Sequence, residues 1–251
     1  MIVAEIRTHR LRVPFAEPPR TGFLALPAID LLVVEVVTED GVVGTGHLHP
    51  LVGGLRTLET CIAEMLAPRL IGEDAADPPA IRRRLREAVL IQGRMGITEM
   101  AISALDVALW DALGRTRGEP LWRLWGGRGD PIPTYGSGCY RGLGREGMIA
   151  KAERYVAEGF GAIKMQVAHL FTPEEDVANV AALRAALGPE VAIMVDVNQG
   201  WDAETAIATG RALAPSAPFW LEEPVRCDDF EGTDRVAAAL PYPVATGENN
   251  W

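Results

Sequence analysis

The second half of the chain alternates short apolar segments with helical ones, and this alternation restricts the fold more than any other feature. The segments GAIKMQV, VAIMVDV, FWLEEP and YPVATGEN are predicted strands, each separated from the next by a predicted helix. A further strand is predicted at IPTYGSG, residues 132–138. Short apolar strands linked by helices form parallel sheets, because crossover helices cover the faces of such a sheet. The pattern therefore predicts an α/β domain.

The predicted helices carry their own start and stop signals. Thr172, Pro173 and Glu175 match a capping box with proline at the first helical position. Glycines follow the predicted ends of two helices, at Gly159 and Gly188. Because these signals agree with the spacing of the apolar segments, they favour repeated βα units over isolated elements.

The N-terminal half follows a different pattern, in which strands come first and helices later. Segment 30–48 contains two apolar runs separated by a Glu-Asp-Gly turn, which predicts a β-hairpin. Apolar residues then recur at helical spacing, and one long helix is predicted to end just before Gly114. Strands followed by helices are typical of an α+β domain. The glycine-rich segment 126–131 is the predicted boundary, with an α+β domain at 1–128 and the α/β domain at 129–251.

Charge and composition argue against several classes of partner. The net charge of -10 argues against nucleic acid, whose phosphates select basic surfaces. No segment approaches the roughly 20 apolar residues of a membrane-spanning helix, and the N-terminal residues lack the pattern of a signal peptide. The three cysteines are far apart and odd in number, which is typical of a reducing compartment. We therefore expect a cytoplasmic protein without nucleic-acid or membrane partners.

Three acidic residues recur at equal intervals in the predicted strands. Asp196, Glu222 and Glu248 are separated by 26 residues in both intervals. One βα unit of a barrel takes about 30 residues, so we expect each acid at the C-terminal end of its own strand. Three carboxylates at one edge would repel one another unless they shared a cation, and oxygen ligands alone favour Mg²⁺. The spacing therefore predicts a Mg²⁺ site.

Strand alternation adds further polar side chains to this edge. If Asp196 faces inward, Asn198 two residues later does so as well. Lys164 and Gln166 share a face of their strand by the same rule. A lysine beside three acids is a candidate base or electrostatic partner, with a pKa set by the local charge balance. Lys164 is therefore the candidate catalytic residue, and Gln166 and Asn198 are candidate substrate-binding residues.

Several of these segments together resemble a known family. GFGAIKMQV, VDVNQGW, WLEEP and TGEN, with ALWDALGRTRGEPLWRLWGG before them, are similar in order and spacing to the mandelate racemase subgroup of the enolase superfamily, within the mandelate racemase/muconate lactonizing enzyme family. The resemblance covers essentially the whole chain. It implies an α+β capping domain followed by a (βα)-barrel of the TIM type.

The resemblance also implies roles for particular residues. Asp196, Glu222 and Glu248 match the family's Mg²⁺ ligands, with Glu222 chosen over Glu223 because the first acid of that motif is the ligand. Lys164 matches the first lysine of the family's Lys-x-Lys motif. Loops 14–28 and 44–54 match the two capping loops that close over a substrate and select it.

Two features depart from the family pattern. The second lysine of the motif is Gln166, and an amide cannot take up a proton near neutral pH. The sequence ends at Trp251, just past the fifth predicted strand, whereas the family barrel has three further strands that usually bring a second base. We therefore expect an incomplete barrel, and the 251-residue chain alone is expected to be inactive.

The resemblance implies chemistry in which a proton beside a carboxylate is removed and an enediolate forms. With one competent base, dehydration of a sugar acid is the first expectation. A racemase, epimerase or cycloisomerase is the enzymatic alternative, and a non-catalytic truncated paralogue is the alternative of another class. The expected partner is a small carboxylate substrate, and a homo-oligomer is expected.

Overall fold

The structure is a computed structural model that describes residues 1–21, 26–51, 53–93 and 95–250. It divides into two compact units, Met1–Ala16 with Pro27–Pro131 and Glu17–Leu26 with Ile132–Trp251. The segment Glu17–Leu26 thus belongs to the second unit, although strands of the first unit flank it in sequence. The described residues exclude parts of the two predicted capping loops, namely residues 22–25 and Val52. They also exclude the terminal Trp251.

The first unit contains a three-stranded antiparallel sheet and several helices. The strands are β1 (Val3–Pro14), β2 (Ala28–Thr38) and β3 (Val43–Leu48), in the order β1-β2-β3. The α-helices are α1 (Leu55–Thr60), α2 (Pro78–Ala88), α3 (Ile97–Arg117) and α4 (Leu121–Leu124), with a π-helical segment at Cys61–Leu66 and 3-10 turns at Ala67–Arg69 and Leu90–Gln92. The predicted hairpin is confirmed, and the Gly41 N–H donates to the Thr38 carbonyl oxygen at 2.9 Å.

Helix α3 covers one face of this sheet, and two glycines permit the close approach. Leu32, Val34 and Val36 of β2 are fully buried on that face. Their neighbours on β3 include Gly44 and Gly46, where an added Cβ would lie 2.1 Å from a carbonyl oxygen of α3. Any larger residue would force helix and sheet apart, so these positions require glycine for steric reasons.

The predicted end of α3 was wrong. The helix continues through Gly114 to Arg117 and ends at Gly118, which adopts a left-handed φ of 63°. Gly114 instead provides space for close packing, since a Cβ there would lie 3.1 Å from both the Glu119 carbonyl oxygen and the Leu121 side chain. Within the part of the chain that the structure describes, neither α3 nor any other helix is long and apolar enough to cross a membrane.

The second unit is a parallel sheet with helices between successive strands. The strands are β4 (Gly136–Cys139), β5 (Ala162–Gln166), β6 (Ala192–Asp196), β7 (Trp220–Glu222) and β8 (Val244–Ala245), in the order β4-β5-β6-β7-β8. The helices are α5 (Gly144–Ala157), α6 (Pro173–Leu187), α7 (Ala203–Leu213) and α8 (Phe230–Ala239), with 3-10 turns at Arg141–Leu143 and Ala214–Ser216. The predicted α/β class is therefore confirmed, as is the capping box of α6.

The two faces of the parallel sheet differ in chemistry. One face carries fully buried apolar residues, among them Ile163, Ile193 and Leu221, which belong to the core of this unit. The other face carries the alternate residues of the same strands. Lys164 and Gln166 lie there, both only partly buried. Alternation therefore separates core residues from polar residues along a single strand.

Two strand boundaries differ from the predicted ones. Strand β4 begins at Gly136 rather than at Ile132, and the Ile132 side chain is 79% exposed outside the sheet. Strand β8 contains only Val244 and Ala245, so Glu248 lies three residues beyond its end and not at the strand terminus. The acidic residue is carried by a short irregular segment instead.

Candidate metal and active site

The C-terminal ends of β5, β6 and β7 form one polar edge. Gln166 pairs in register with Asp196, and Asp196 pairs with Glu222. Residues that pair in register on parallel strands point to the same face, so the three side chains lie side by side. The expectation that Asp196 and Glu222 end neighbouring strands is therefore met.

Lys164 links the two acids at this edge. Its Nζ lies 2.6 Å from Glu222 Oε1 and 3.4 Å from Asp196 Oδ2. The side chains of Lys164 and Glu222 are 15% and 14% exposed, and that of Asp196 is 4% exposed. A single ammonium thus sits between two poorly solvated acidic groups, so two acids share one cation.

Burial and charge act in opposite directions on the pKa values of this group. Burial raises the pKa of Asp196, and the repulsion from Glu222 adds to the rise, while the Lys164 ammonium only partly offsets both. For Lys164, burial lowers the pKa, but the hydrogen bond to Glu222 and the charges of both acids outweigh burial, so the pKa is raised overall. Lys164 is therefore a cation in this arrangement.

Glu222 and Glu223 are adjacent in sequence but have different partners. Glu222 accepts hydrogen bonds from Lys164 Nζ and, at 2.9 Å on Oε2, from the Trp220 indole N–H. Glu223 has a left-handed φ of 41° and is 3% exposed. Its carboxylate accepts from the backbone and the side-chain nitrogen of Asn249 at 3.0–3.2 Å. Glu222 therefore lies in the lysine cluster, whereas Glu223 anchors the segment that carries Glu248.

Glu248 lies near the cluster without joining it. The residue is exposed, yet nearby protein atoms reduce its solvation and raise its pKa, and repulsion from Glu223, Asp196 and Glu222 adds to the rise. Across the described residues, no three His, Cys, Asp or Glu side chains are close enough together to hold a metal ion. In this geometry the structure thus brings together two of the three predicted ligands.

The donor set at this edge is compatible with a hard divalent cation. Asp196 and Glu222 already direct one oxygen each at a single positive charge, the Lys164 ammonium. Their remaining oxygens accept from the Asn198 backbone N–H at 3.0 Å and from Trp220. Carboxylate oxygens held by second partners in this way suit Mg²⁺. Glu248 would complete an all-oxygen set, so the residues present fit the metal.

The two predicted substrate-binding residues lie at the same edge. Gln166 Oε1 is buried and, among the described residues, has no hydrogen-bond partner. An orphaned buried acceptor costs free energy unless a ligand or water satisfies it. Asn198 follows β6 with a left-handed φ of 47°, and its side-chain oxygen accepts from Arg141 Nη2 at 2.7 Å. Both amides are therefore placed beside Asp196.

Arg141 is the residue that sequence reasoning missed. It follows β4 within the segment GSGCYRG, and its side chain is completely buried. Burial lowers the pKa of the guanidinium to about 10, while the charges of Asp196 and Asp176 oppose that fall, so the group stays charged at neutral pH. The available signal was an arginine three residues after a predicted strand, which by itself does not distinguish a buried side chain from an exposed one.

Comparison with protein families matches both units to one superfamily. Residues 3–126 match the N-terminal domain of mandelate racemase / muconate lactonizing enzyme. Residues 147–251 match the enolase C-terminal domain-like family. The two matches together cover most of the chain and support the predicted capping domain and barrel-type domain.

Relatives of known activity include enzymes of more than one reaction type. The chain is 35% identical to a 3,6-anhydro-alpha-L-galactonate cycloisomerase of Streptomyces coelicolor over 99% of the chain and 69% of that protein. It is also 35% identical to an L-talarate/galactarate dehydratase of Salmonella typhimurium, over 89% of the chain and 56% of that protein. The chain therefore spans only part of the length of these relatives.

A solved structure with magnesium is similar along nearly the whole chain. A racemase from Streptomyces coelicolor with bound magnesium superposes with a TM-score of 0.93 at 35% identity, covering 99% of this chain and 70% of that one. This likeness extends over both units and agrees with the family matches.

Proposed function

The chain belongs to the mandelate racemase/muconate lactonizing enzyme family of the enolase superfamily, and from this premise we propose that its site removes a proton beside a substrate carboxylate in a Mg²⁺-dependent reaction. The reaction we propose is dehydration of a sugar acid through an enediolate. The observation that carries the proposal is the Lys164 ammonium between Asp196 and Glu222, with an amide at Gln166 where a second base would stand.

The proposed metal ligands are Asp196, Glu222 and Glu248. A bound Mg²⁺ would supply positive charge to stabilise the enediolate formed when the proton leaves. The carboxylates hold their orientation through the Asn198 N–H and the Trp220 indole, so little rearrangement is needed to present them to a cation.

Lys164 is proposed as the catalytic residue. While its ammonium is the only cation between the two acids, its raised pKa keeps it protonated, and it acts as an electrostatic partner. Action as a base requires that another positive charge offset the acids and lower that pKa. The lysine then takes the proton at Nζ, next to the substrate carbon.

Gln166 and Asn198 are proposed to bind the substrate. The orphaned Gln166 Oε1 can accept a hydrogen bond from a substrate hydroxyl, which would satisfy the buried atom. An amide cannot act as a general base near neutral pH, so it leaves one face of the enediolate without a base from β5. Dehydration needs a base on one face only, whereas racemisation normally needs one on each.

Two alternatives, an epimerase or cycloisomerase and a non-catalytic metal-binding protein, differ from a dehydratase in how they exchange substrate protons. The relatives include a cycloisomerase and an L-Ala-D/L-Glu epimerase of Bacillus subtilis, which is 28% identical to this chain. An epimerase or cycloisomerase would use the same cluster with another base. A non-catalytic relative would retain metal binding without any proton exchange.

D-Gluconate and D-mannonate, which differ only in configuration at the single carbon beside the carboxylate, discriminate among these functions. The full-length protein is incubated with Mg²⁺ and each acid in D₂O, and deuterium incorporation and loss of water are followed by mass spectrometry. We expect deuterium entry or dehydration with one epimer only. Lys164→Met should abolish the reaction, because the proposed base is removed.

The matched control is Lys151→Met. Because Lys151 pairs with Glu17 of the predicted capping loop, a second control is Arg235→Met, which removes an exposed cation on α8 that pairs with Glu204 and should leave the reaction intact. Comparable exchange from both epimers would favour an epimerase with a second base. No exchange, with Mg²⁺ binding retained, would favour the non-catalytic alternative.

A further inference from the structure

A buried arginine connects three segments of the second unit that are separate in sequence, two through backbone carbonyls and one through a side-chain amide. Arg141 Nε donates to the Val167 carbonyl oxygen at 2.9 Å, just past the end of β5. Its Nη1 donates to the Thr21 carbonyl oxygen at 3.2 Å, and its Nη2 donates to Asn198 Oδ1 at 2.7 Å. A planar guanidinium holds its donors in a fixed fork, so its three acceptors cannot move independently.

The segment that contains Thr21 is held by a second contact beside the first. The Gly142 N–H donates to the Arg20 carbonyl oxygen at 2.8 Å. A Cβ at Gly142 would lie 2.4 Å from that oxygen, so the backbones can approach this closely only because residue 142 is glycine. Two consecutive residues, Arg141 and Gly142, therefore donate hydrogen bonds to two consecutive carbonyl groups, those of Thr21 and Arg20, and hold this segment in place.

The same arginine determines which way the Asn198 amide is oriented. A guanidinium has only donors, so the amide must turn its oxygen toward Arg141. The Asn198 side-chain nitrogen then remains for other partners, and a substrate carboxylate or hydroxyl is an acceptor of the right kind. The backbone N–H of Asn198 is already used by Asp196 Oδ1, which ties this loop to the proposed metal ligand.

The buried charge of Arg141 is compensated nearby. Asp176 is completely buried and accepts from the Ala168 N–H at 2.9 Å, and its charge acts on the guanidinium. Asp196 acts in the same sense. A buried cation that donates to polar acceptors, with Asp196 and, once it is ionised, Asp176 nearby, can persist, whereas loss of its donors would leave those acceptors unsatisfied.

We propose that Arg141 is a positioning residue that docks residues 17–21 onto the sheet and, through the same guanidinium, orients the Asn198 amide so that its nitrogen faces the ligand. The assignment of that ligand as a sugar acid rests on the proposed function. The coupling between the docked segment and Asn198 does not, because it depends only on contacts within this chain.

Trypsin provides a test that needs no ligand. The Arg20–Thr21 bond is a potential cleavage site, and its cleavage rate under native conditions reports the population of undocked segment. We expect Arg141→Met to accelerate cleavage roughly tenfold, the effect of losing about one charge-assisted hydrogen bond. Arg141→Lys should give an intermediate rate. Cleavage after Arg128, whose side chain is 86% exposed, is the internal reference and should not change.

Arg184→Met is the matched control for general loss of stability. Arg184 also donates to several carbonyl oxygens of the second unit, including those of Ser216, Gly188 and Val191 at 2.7–2.9 Å, but none belongs to residues 17–21. Equal acceleration in both variants would overturn the proposal. If Arg141→Met does not fold, Gly142→Ala serves instead, because its Cβ displaces Arg20 and should produce the same acceleration.

Coupling to Asn198 is tested by a double-mutant cycle on the same cleavage rate. Asn198→Ala removes one acceptor of the guanidinium and should accelerate cleavage about fivefold, the effect of one ordinary hydrogen bond. Asn198→Asp keeps an acceptor and should protect Arg20 as the wild type does. In the Arg141→Met background, Asn198→Ala should have no further effect. Additive effects of the two changes would refute the coupling.

A calorimetric titration with galactarate in the presence of Mg²⁺ examines the ligand separately. We expect Asn198→Asp to weaken galactarate binding at least about tenfold, because the amide donor to the ligand is lost. Trypsin cleavage after Arg20 should stay as slow as in the wild type, because the carboxylate still accepts from Arg141. Wild-type affinity in this variant would overturn the assignment of the amide nitrogen to the ligand. Absence of galactarate binding to the wild type would count against a sugar acid as the substrate of the proposed function. The trypsin result would still decide whether Arg141 holds residues 17–21 in place.

Discussion

Charged residues serve different purposes on the two sheets of this protein. On the antiparallel sheet, Arg12 and Asp30 face each other across β1 and β2, 3.7 Å apart and with side chains 68% and 38% exposed. On the parallel sheet, Lys164, Asp196 and Glu222 are nearly enclosed at the strand ends. Both are ion pairs by distance, yet only the second is shielded from water, and there the pKa values of Asp196 and Lys164 are both raised.

The difference follows from solvation. Water screens the exposed pair and competes for both groups, so such pairs contribute little. At the parallel edge, burial removes that screening, so each charge depends on its neighbours and removal of one leaves the others uncompensated. A buried cluster of charges is costly for stability. Proteins keep such clusters mainly where a function requires them, so acids and bases with perturbed pKa values often mark functional sites.

The largest expected effect is a loss of Mg²⁺ affinity when acids at the parallel-sheet edge are changed, with no loss when an acid on the antiparallel sheet is changed. Glu222→Gln and Glu248→Gln should each remove most Mg²⁺ affinity, exceeding the roughly 10–100-fold loss typical of an outer-shell partner, because a charged ligand is lost. Glu35→Gln, on the antiparallel sheet, is the matched control and should bind as the wild type does. Calorimetric titration with Mg²⁺ measures all three. Wild-type affinity in the Glu222 and Glu248 variants would exclude the proposed ligand set.

A smaller effect concerns buried charge outside the proposed ligands. Burial raises the pKa of Asp176 to about 7, so its contribution to stability is complete below the unfolded pKa near 4 and is lost as the pH rises through 7. Relative to Asp176→Asn, the wild type should lose about 2–4 kcal/mol of unfolding free energy between about pH 4 and pH 8. Denaturant unfolding across that range measures the difference. A constant difference would mean that Asp176 is ionised in both states.

The smallest effect is expected on the antiparallel sheet. Arg12→Gln should change the free energy of unfolding by about 0.5 kcal/mol or less, since its partner Asp30 is solvated with or without it. Denaturant unfolding at low and high salt provides the measurement. A loss above about 1 kcal/mol would show that the exposed pair is not screened as proposed, and would remove the contrast between the two sheets.

Much of the fold was predictable because local signals agreed with one another. The capping box at Thr172 and the hairpin turn at Gly41 depend on short-range chemistry, and both were predicted correctly. Gly114 was misread, because a glycine that ends a helix and a glycine that lets another segment pack closely look the same in sequence.

The sequence by itself determined the βα repeat, the family, and the equal spacing of Asp196, Glu222 and Glu248, since these depend on residue type and distance along the chain. Tertiary structure alone decided which atoms meet. The ammonium of Lys164 lies between two acids while Glu248 stays apart, and Arg141 joins residues 120 and 57 positions away in sequence. Such contacts arise when the fold brings together segments that are distant in sequence, at the strand ends and in the loops beyond them, and no local pattern encodes that meeting.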